Sequence, residues 1–250
     1  MLPETKFLID VVIDASKLIT DDFIVKSKDD GGDLVTNFDF EIERFIIARV
    51  LAEYPTYDII SEEFNPKEHL TKNCFVIDPI DGTINFANGI PLWGIQVAKI
   101  TKGKTVCAVI YLPRVVELYY ADETGAYSVK ICFGEPLPPI EKHKKISVSK
   151  LPPKKALYLV EGGNKFPALA QLNADSRHWR YYCCTAVNYA WTACGRLGGA
   201  ILRKDQVWDY IPGQFLVRQA GGVIINKTGA HIAANTRDLA KLLLEKGVLK

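Results

Sequence analysis

The chain has 250 residues, of which 48% are hydrophobic, and a formal net charge of +2. This length allows one compact unit or two closely packed subdomains with a substantial core. The near-neutral charge argues against general nucleic-acid binding, and no apolar run is long enough to span a bilayer, so we expect neither as a partner.

Two helices followed by a run of strands are predicted for the first part of the chain. Apolar residues at helical spacing predict helices over residues 4–20 and 41–53, and the polar, glycine-rich residues 26–33 between them predict a mobile loop. Strand-like segments follow at residues 58–61, 74–78, 93–100, 105–111, 117–121 and 126–129. This order predicts an antiparallel-rich α+β half.

Strands and helices alternate in the second part. Residues 133–155 are rich in proline and lysine, which is typical of a boundary, and we divide the chain into halves at residues 1–140 and 141–250. Strands are predicted at residues 156–160, 179–183, 199–202, 223–225 and 231–234, and helices at residues 167–174, 185–197, 209–220 and 237–245. Such alternation predicts an α/β layer.

The cysteines and the N-terminus bear on the cellular compartment. The six cysteines show no zinc-like paired spacing, and vicinal Cys183 and Cys184 are interpreted as packing residues. The first residues lack the basic-then-apolar pattern of a signal peptide. We therefore expect a reduced, cytoplasmic protein.

The most informative motif is Asp78-Pro-Ile-Asp81-Gly-Thr83. The apolar run before it predicts a buried strand that ends at Asp78, because Pro79 is incompatible with an ordinary central strand. Asp81 is then expected in the following turn, and Gly82 and Thr83 at the start of a helix. Carboxylates beside a helix N-terminus can hold divalent cations and a phosphate together, although Asp-x-x-Asp-Gly taken alone is more often turn chemistry.

Three further acidic clusters lie where regular elements begin or end. Glu62 and Glu63 follow the apolar pair Ile59-Ile60, and Asp39 belongs to a segment that begins at Asp33 and precedes a helical pattern. Trp208-Asp209 opens another helical stretch. Four acidic clusters at the ends of regular elements are more than we expect from unrelated surface turns. Together they predict one phosphoryl-transfer site with bound metal ions.

In this order, the motifs resemble the inositol monophosphatase family of magnesium-dependent, lithium-sensitive phosphatases. The resemblance covers nearly the whole chain, and the string from Asp78 to Phe86 is its specific part. It implies an αβαβα layered sandwich in which the first half binds metal and the second half completes the substrate site. It also implies a homodimer and two or three Mg²⁺ ions, with Mn²⁺ as a substitute.

The resemblance also assigns roles to individual residues. Glu62, Asp78 and the carbonyl of Ile80 would bind one ion, and Asp78, Asp81 and Asp209 a second, while Glu62 would help to hold a third. Thr83, oriented by Asp39, would activate the attacking water. The backbone N–H groups of Gly82 and Thr83 would hold the phosphate. Lys28, on the mobile loop, would approach the metal cluster.

The sequence departs from the family pattern at the expected substrate wall, which is formed by Cys184, Thr185, Ala186, Leu202 and Arg203. Members that act on inositol phosphate carry a glutamate where Leu202 stands here, and leucine cannot accept a hydrogen bond from a hydroxyl. Basic residues bracket this wall and suggest a second phosphate, unless they are a solvated face: Arg177, Arg180, Arg196, Arg203 and Lys204.

Two hypotheses for the function, from different classes, therefore stay open. The first hypothesis is a magnesium-dependent phosphomonoesterase acting on a small soluble ester, with fructose 1,6-bisphosphate, histidinol phosphate or a 3′-phosphonucleotide as alternatives to inositol phosphate. The second is a protein- or RNA-associated regulator that keeps the phosphatase fold, against which the intact acidic motifs argue.

Overall fold

The computed structural model describes residues 1–28, 34–66, 69–161, 178–203, 206–227 and 229–247. The side chains of residues 246 and 247 are not described. The predicted helix at residues 167–174 lies outside these ranges, as do Asp33, Arg177 and Lys204. Within the described residues, no helix combines the length and the apolar character that crossing a membrane requires.

Six α-helices are described: α1 (Pro3–Ser16), α2 (Asn37–Glu53), α3 (Thr83–Ala87), α4 (Thr185–Ala193), α5 (Val207–Gln219) and α6 (Arg237–Gly247). All six lie close to predicted helices, including the short α3 that was expected to begin at Gly82 and Thr83, and two are shorter than expected. The first ends at Ser16, and the fourth ends at Ala193 because Gly195 adopts a left-handed φ of 81°, which suits a helix C-terminus.

The larger sheet has seven strands in the order β3-β4-β5-β6-β7-β8-β9. They are β3 (Asp58–Ser61), β4 (Cys74–Asp81), β5 (Gly94–Thr101), β6 (Lys104–Leu112), β7 (Glu117–Asp122), β8 (Gly125–Lys130) and β9 (Lys144–Lys145). Only the β3–β4 pair is parallel. The prediction of an antiparallel-rich sheet is confirmed.

A second sheet of five strands has the order β11-β10-β12-β14-β13. Its strands are β10 (Leu157–Glu161), β11 (His178–Arg180), β12 (Gly199–Leu202), β13 (Val223–Lys227) and β14 (Ala230–Ala234). β10 runs parallel to β11 and β12, and the other pairs are antiparallel. β11 ends before the predicted residue 183, where the backbone of Cys183 turns to a positive φ of 52°.

One short hairpin differs from the sequence prediction. β1 (Val25–Ser27) pairs antiparallel with β2 (Leu34–Thr36), so residues 26 and 27 are strand residues and not part of a loop. The hairpin leads directly into α2. It thereby fixes the approach to Asp39 in the first turn of that helix.

The elements stack as the expected αβαβα sandwich. α1 and α2 pack on one face of the seven-stranded sheet, α4 and α5 lie between the two sheets, and α6 covers the outer face of the five-stranded sheet. Separate buried apolar clusters fill the spaces between these layers. Apolar burial on both faces explains why the strands read as nearly continuous hydrophobic runs.

The prediction that a strand ends at Asp78 is wrong, because β4 continues through Pro79 to Asp81. Pairing with β3 stops at Ile77, and pairing with β5 shifts register between Asp78 and Asp81. Proline is tolerated at this irregularity because no regular ladder hydrogen bond requires its missing N–H. The bulge brings both aspartates to one end of the sheet.

Candidate active site

Three buried carboxylates meet at the end of β4. Asp78, Asp81 and Asp209 each offer an oxygen, and these oxygens lie within 4.8 Å of one another. The first two come from the bulged end of β4, and Asp209 comes from the first turn of α5 in the middle helical layer. One acidic group thus joins Asp209 to residues 131 and 128 positions earlier in the chain.

The environment of Asp78 suits the binding of a cation. Burial, followed by the charges of Glu62, Asp81 and Asp209, raises the pKa of Asp78 well above its ordinary value. Gln96 Nε2 donates to Oδ2 at 3.2 Å, whereas Oδ1 is buried and has no hydrogen-bond partner in the described structure. Because a buried oxygen without a partner is costly, and these donors are hard oxygens, the group fits a divalent cation such as Mg²⁺.

Asp81 is aligned by the second part of the chain. Its Oδ2 accepts the backbone N–H of Ala186 at 2.5 Å and the thiol of Cys184 at 3.0 Å. Thr185 Oγ1 accepts Gln96 Nε2, the amide that also contacts Asp78. These three residues, predicted as substrate wall, are therefore buried behind the aspartates, where they orient them. Cys184, interpreted from the sequence as a packing residue, also donates a hydrogen bond to Asp81.

The turn after Asp81 requires glycine. Gly82 has a φ of 87°, and a Cβ there would lie 3.1 Å from the carbonyl oxygen of Cys183 and 3.2 Å from that of Leu92. Both the left-handed backbone and these fixed carbonyls exclude a side chain. Gly82 precedes α3 and lines the cavity together with Thr83.

Thr83 and Asp39 form a buried pair, as predicted. Thr83 Oγ1 lies 3.2 Å from Asp39 Oδ1 and 2.9 Å from the carbonyl oxygen of Ile80. Asp39 Oδ2 accepts the backbone N–H of Thr36 at 2.7 Å and its hydroxyl at 2.6 Å, which caps α2. Burial raises the pKa of Asp39 to about 6 despite these hydrogen bonds. The helix-terminal and the catalytic interpretations of Asp39 are therefore compatible.

Glu62 lies beside the three aspartates but is not part of their group. It lines the same cavity, and its Oε1 accepts Lys28 Nζ at 2.8 Å. Lys28 also contacts Glu63 Oε1 at 2.5 Å, and the two carboxylates raise the lysine pKa although burial alone would lower it. Burial raises the pKa of Glu63 to about 7. Lys28 therefore already lies next to the acidic cluster in this structure.

A cavity of about 630 Å³ opens over the acidic group. Besides the residues expected from sequence, its wall includes seven that were not predicted as site residues: Pro66, Ile84, Glu161, Tyr181, Cys183, Gln206 and Trp208. Glu161 could have been found from the sequence, because it is an acidic residue at the end of the apolar strand residues Leu159-Val160. Glu62 and Asp78 also come at the ends of apolar strand segments. The others lie in connections or in a helix and carry no such pattern.

Two further residues of the predicted substrate wall do not line this cavity. Leu202 is 2% exposed and belongs to the apolar cluster between the sheets, and Arg203 does not line the cavity. Of the other basic residues, Arg196 forms an ion pair with Glu117 beside a different cavity, and Arg180 is exposed on β11. Among the described residues of the wall, Lys28 is the one cation.

Replacing Leu202 with glutamate is therefore expected to destabilise the fold, and no gain in activity on inositol 1-phosphate is expected. The new carboxyl group would be buried among apolar side chains, at a cost of about 3 kcal/mol or more. Urea denaturation measures this loss, and Leu202→Met, which conserves volume, should cost less than about 1.5 kcal/mol. A fully stable Leu202→Glu with improved turnover of inositol 1-phosphate would show that the side chain reaches substrate.

Comparison with known proteins gives consistent matches. The sequence profile of the inositol monophosphatase family matches residues 2–248. Inositol-1-monophosphatase ImpA of Mycolicibacterium smegmatis is 33% identical over 220 residues, which cover 84% of this chain and 75% of the relative. Nus factor SuhB of Escherichia coli strain K12 is 31% identical over 218 residues, covering 85% and 79%. The solved structure of Thermotoga maritima IMPase superposes with a TM-score of 0.81 at 25% identity and covers 98% of both chains.

Proposed function

The chain belongs to the inositol monophosphatase family and is a phosphoric monoester hydrolase, and on this premise we propose that it uses Mg²⁺ to hydrolyse a small phosphate monoester. The observation that carries the proposal is the buried group of Asp78, Asp81 and Asp209 on the cavity wall. Three carboxylates at this separation repel one another unless a cation neutralises them.

The same donors suit the expected ions. Asp78, Asp81 and Asp209 would hold Mg²⁺, with Glu62 and the carbonyl oxygen of Ile80 as the further ligands, and Mn²⁺ would be an alternative ion. Bound there, two or three such ions supply charge neutralisation for the phosphoryl group and its leaving oxygen. Lys28 pairs with Glu62, so the ammonium group of the lysine neutralises part of the negative charge beside the three aspartates.

Thr83 and Asp39 are the groups that would orient the attacking water. Ionised Asp39 accepts the hydroxyl proton of Thr83 at Oδ1, which leaves a lone pair of Thr83 Oγ1 to accept a proton from the water. The water oxygen is thereby directed at phosphorus. The backbone N–H groups of Gly82 and Thr83 would bind the phosphate oxygens, since both residues line the cavity at the start of α3.

The wall favours a substrate with one phosphate. Its single described cation, Lys28, is paired with two glutamates, so a second phosphate would find no free positive charge among the described wall residues. This supports an inositol phosphate or a similar polyol monophosphate over fructose 1,6-bisphosphate or a 3′-phosphonucleotide bearing several phosphates. Histidinol phosphate, with one phosphate and an amine, stays the alternative.

A phosphate-release assay over these four substrate types tests the proposal. We expect release only when Mg²⁺ or Mn²⁺ is present, with inositol 1-phosphate preferred to the bisphosphate, and inhibition by lithium as in relatives. Mg²⁺ should also raise the unfolding temperature in the absence of substrate, because it binds only the folded acidic group. Turnover that persists in excess chelator would contradict a metal-dependent mechanism.

A regulatory role is the second candidate, because one relative at 31% identity is a Nus factor. A stoichiometric macromolecular partner recovered from cell extract, together with no turnover on any phosphate ester, would favour it. The homodimer and the cytoplasmic location also stay proposals. Light scattering and cell fractionation measure them.

A further inference from the structure

We propose that Glu43 positions Glu62 for binding a divalent cation, by holding the backbone of the turn that follows β3. This inference rests on the proposed Mg²⁺-dependent activity and adds a positioning residue to it. Glu43 lies on α2, is 0% exposed, and is not among the described residues that line the cavity. It therefore acts on the site through its neighbours and not by contact with an ion or a substrate.

Both oxygens of the Glu43 carboxylate are engaged by this one turn. Oε1 accepts the hydroxyl of Ser61 at 2.6 Å and the backbone N–H of Phe64 at 2.7 Å, and Oε2 accepts the backbone N–H of Glu63 at 2.8 Å. An ionised carboxylate only accepts hydrogen bonds, which suits a site that offers three donors. Because the donors come directly before and after Glu62, Glu43 fixes the chain on both sides of that residue.

The turn needs this support because Glu62 follows an edge strand. Among the described strands, β3 is the first of the seven-stranded sheet and pairs with β4 alone. The pairing ends with Ser61 opposite Ile77, so Glu62 and Asp78 come next, side by side at one end of the sheet. Beyond this point the ladder no longer satisfies the buried N–H groups, and Glu43 supplies the acceptor.

The position of Glu62 matters for the acidic group. After burial, the charge of Glu62 contributes most to the raised pKa of Asp78, ahead of the charges of Asp81 and Asp209. Glu62 also lines the cavity that these aspartates share. A shift of the turn would therefore move a carboxylate that acts directly on the expected cation site.

One face of α2 supports two parts of the site. Asp39 and Glu43 are four residues apart in this helix, so their side chains project from the same face. Asp39 contacts Thr83, and Glu43 holds the turn of Glu62. The helix thus fixes the hydroxyl that would orient water relative to the carboxylate that would bind the ion.

Replacing Glu43 with glutamine keeps the size of the side chain but removes one acceptor. The NH₂ group of the amide then faces one of the three donors, and the turn has to move to separate them. Loss of a group that orients a metal ligand typically lowers metal affinity about 10- to 100-fold. We therefore expect the Kd for Mg²⁺ to rise about tenfold in Glu43→Gln.

Isothermal titration of the substrate-free protein with Mg²⁺ measures this effect. Glu62→Gln should weaken binding at least as much as Glu43→Gln. The double variant Glu43→Gln/Glu62→Gln should bind no more weakly than Glu62→Gln, because Glu43 acts only through Glu62. Ser61→Ala removes one of the three donors and should give a smaller loss, and it carries the same test if Glu43→Gln does not fold.

Asp122→Asn is the matched control for a general loss of stability. Asp122 is also 0% exposed, and its carboxylate accepts the backbone N–H groups of Leu2 and Thr124 and the hydroxyl of Thr5. It lies on β7, which β5 and β6 separate from β4. The variant should lose stability in urea but keep the parental Kd for Mg²⁺.

Phosphate release at rising Mg²⁺ gives a second readout. Saturating Mg²⁺ should restore most of the parental kcat to Glu43→Gln, because the ion then draws Glu62 back into place. A purely structural defect would lower kcat at every Mg²⁺ concentration, and this result would overturn the proposal.

The other outcomes are also decisive. An unchanged Kd in Glu43→Gln, or losses that add fully in the double variant, would overturn the positioning role. An equal loss of affinity in Asp122→Asn would overturn it as well, because general destabilisation would then explain the effect. If the parent binds no Mg²⁺, the proposed metal-dependent activity itself fails.

Discussion

Replacing Asp81 with asparagine should lower kcat about 10²- to 10³-fold while leaving the protein folded. Asp81 uses Oδ2 to accept the N–H of Ala186 and the thiol of Cys184. The amide oxygen of asparagine can take over this position. Its NH₂ group, a donor with partial positive charge, then faces the cation that the second carboxylate oxygen would have bound.

The physical reason for the size of this effect is the loss of a charge and not the loss of a contact. Phosphoryl transfer relies on electrostatic stabilisation, and a cation that binds weakly or out of place cannot supply it. Isothermal titration with Mg²⁺ and phosphate release measure the two consequences together. Asp58→Asn, at the exposed start of β3, is the matched control. Full turnover in Asp81→Asn would remove the acidic group from the mechanism.

The second large effect is expected at Thr83. Thr83→Val removes only the hydroxyl that lies between Asp39 and the carbonyl oxygen of Ile80, and we expect kcat to fall about 10²- to 10⁴-fold. KM should change little, because the backbone N–H groups assigned to phosphate binding remain. Valine has nearly the same shape as threonine, so the loss reports the hydroxyl.

Thr83→Ser provides the conservative control and should stay within about tenfold of the parent, because it retains the hydroxyl. The comparison also separates chemistry from stability, since Asp39 keeps its contacts with Thr36 in both variants. Chemical denaturation of each variant measures the remaining difference. Equal turnover in Thr83→Val and Thr83→Ser would exclude the hydroxyl as the group that orients water.

The acidic group could be predicted from the sequence because local patterns fix its members. Asp78 and Asp81 stand within one short motif, and Asp209 opens a helical pattern, so each lies at the end of an element whatever the details of packing. Glu62 was predicted equally well as a residue of the site. The resemblance implied only that Lys28 would approach the metal cluster; its pairing with Glu62 in particular depends on tertiary structure and was not predicted.

The substrate wall was the least predictable part. Leu202 and Ala186 were assigned to it by analogy, and both are buried. For Leu202 on β12, the register between strands decides which residues face a cavity. A single sequence does not contain that register. Pro79 shows a related limit: its usual effect on a strand is overridden by a bulge that only the neighbouring strands create.

The alignment of Asp81 by Ala186 has a consequence for how the protein matures. Asp81 belongs to a sheet made from the early part of the polypeptide, whereas the N–H that holds its carboxylate arrives more than a hundred residues later in synthesis. Asp209 is translated later still. A nascent chain on the ribosome therefore has no working centre, and capture of the ion marks the close of folding rather than its beginning.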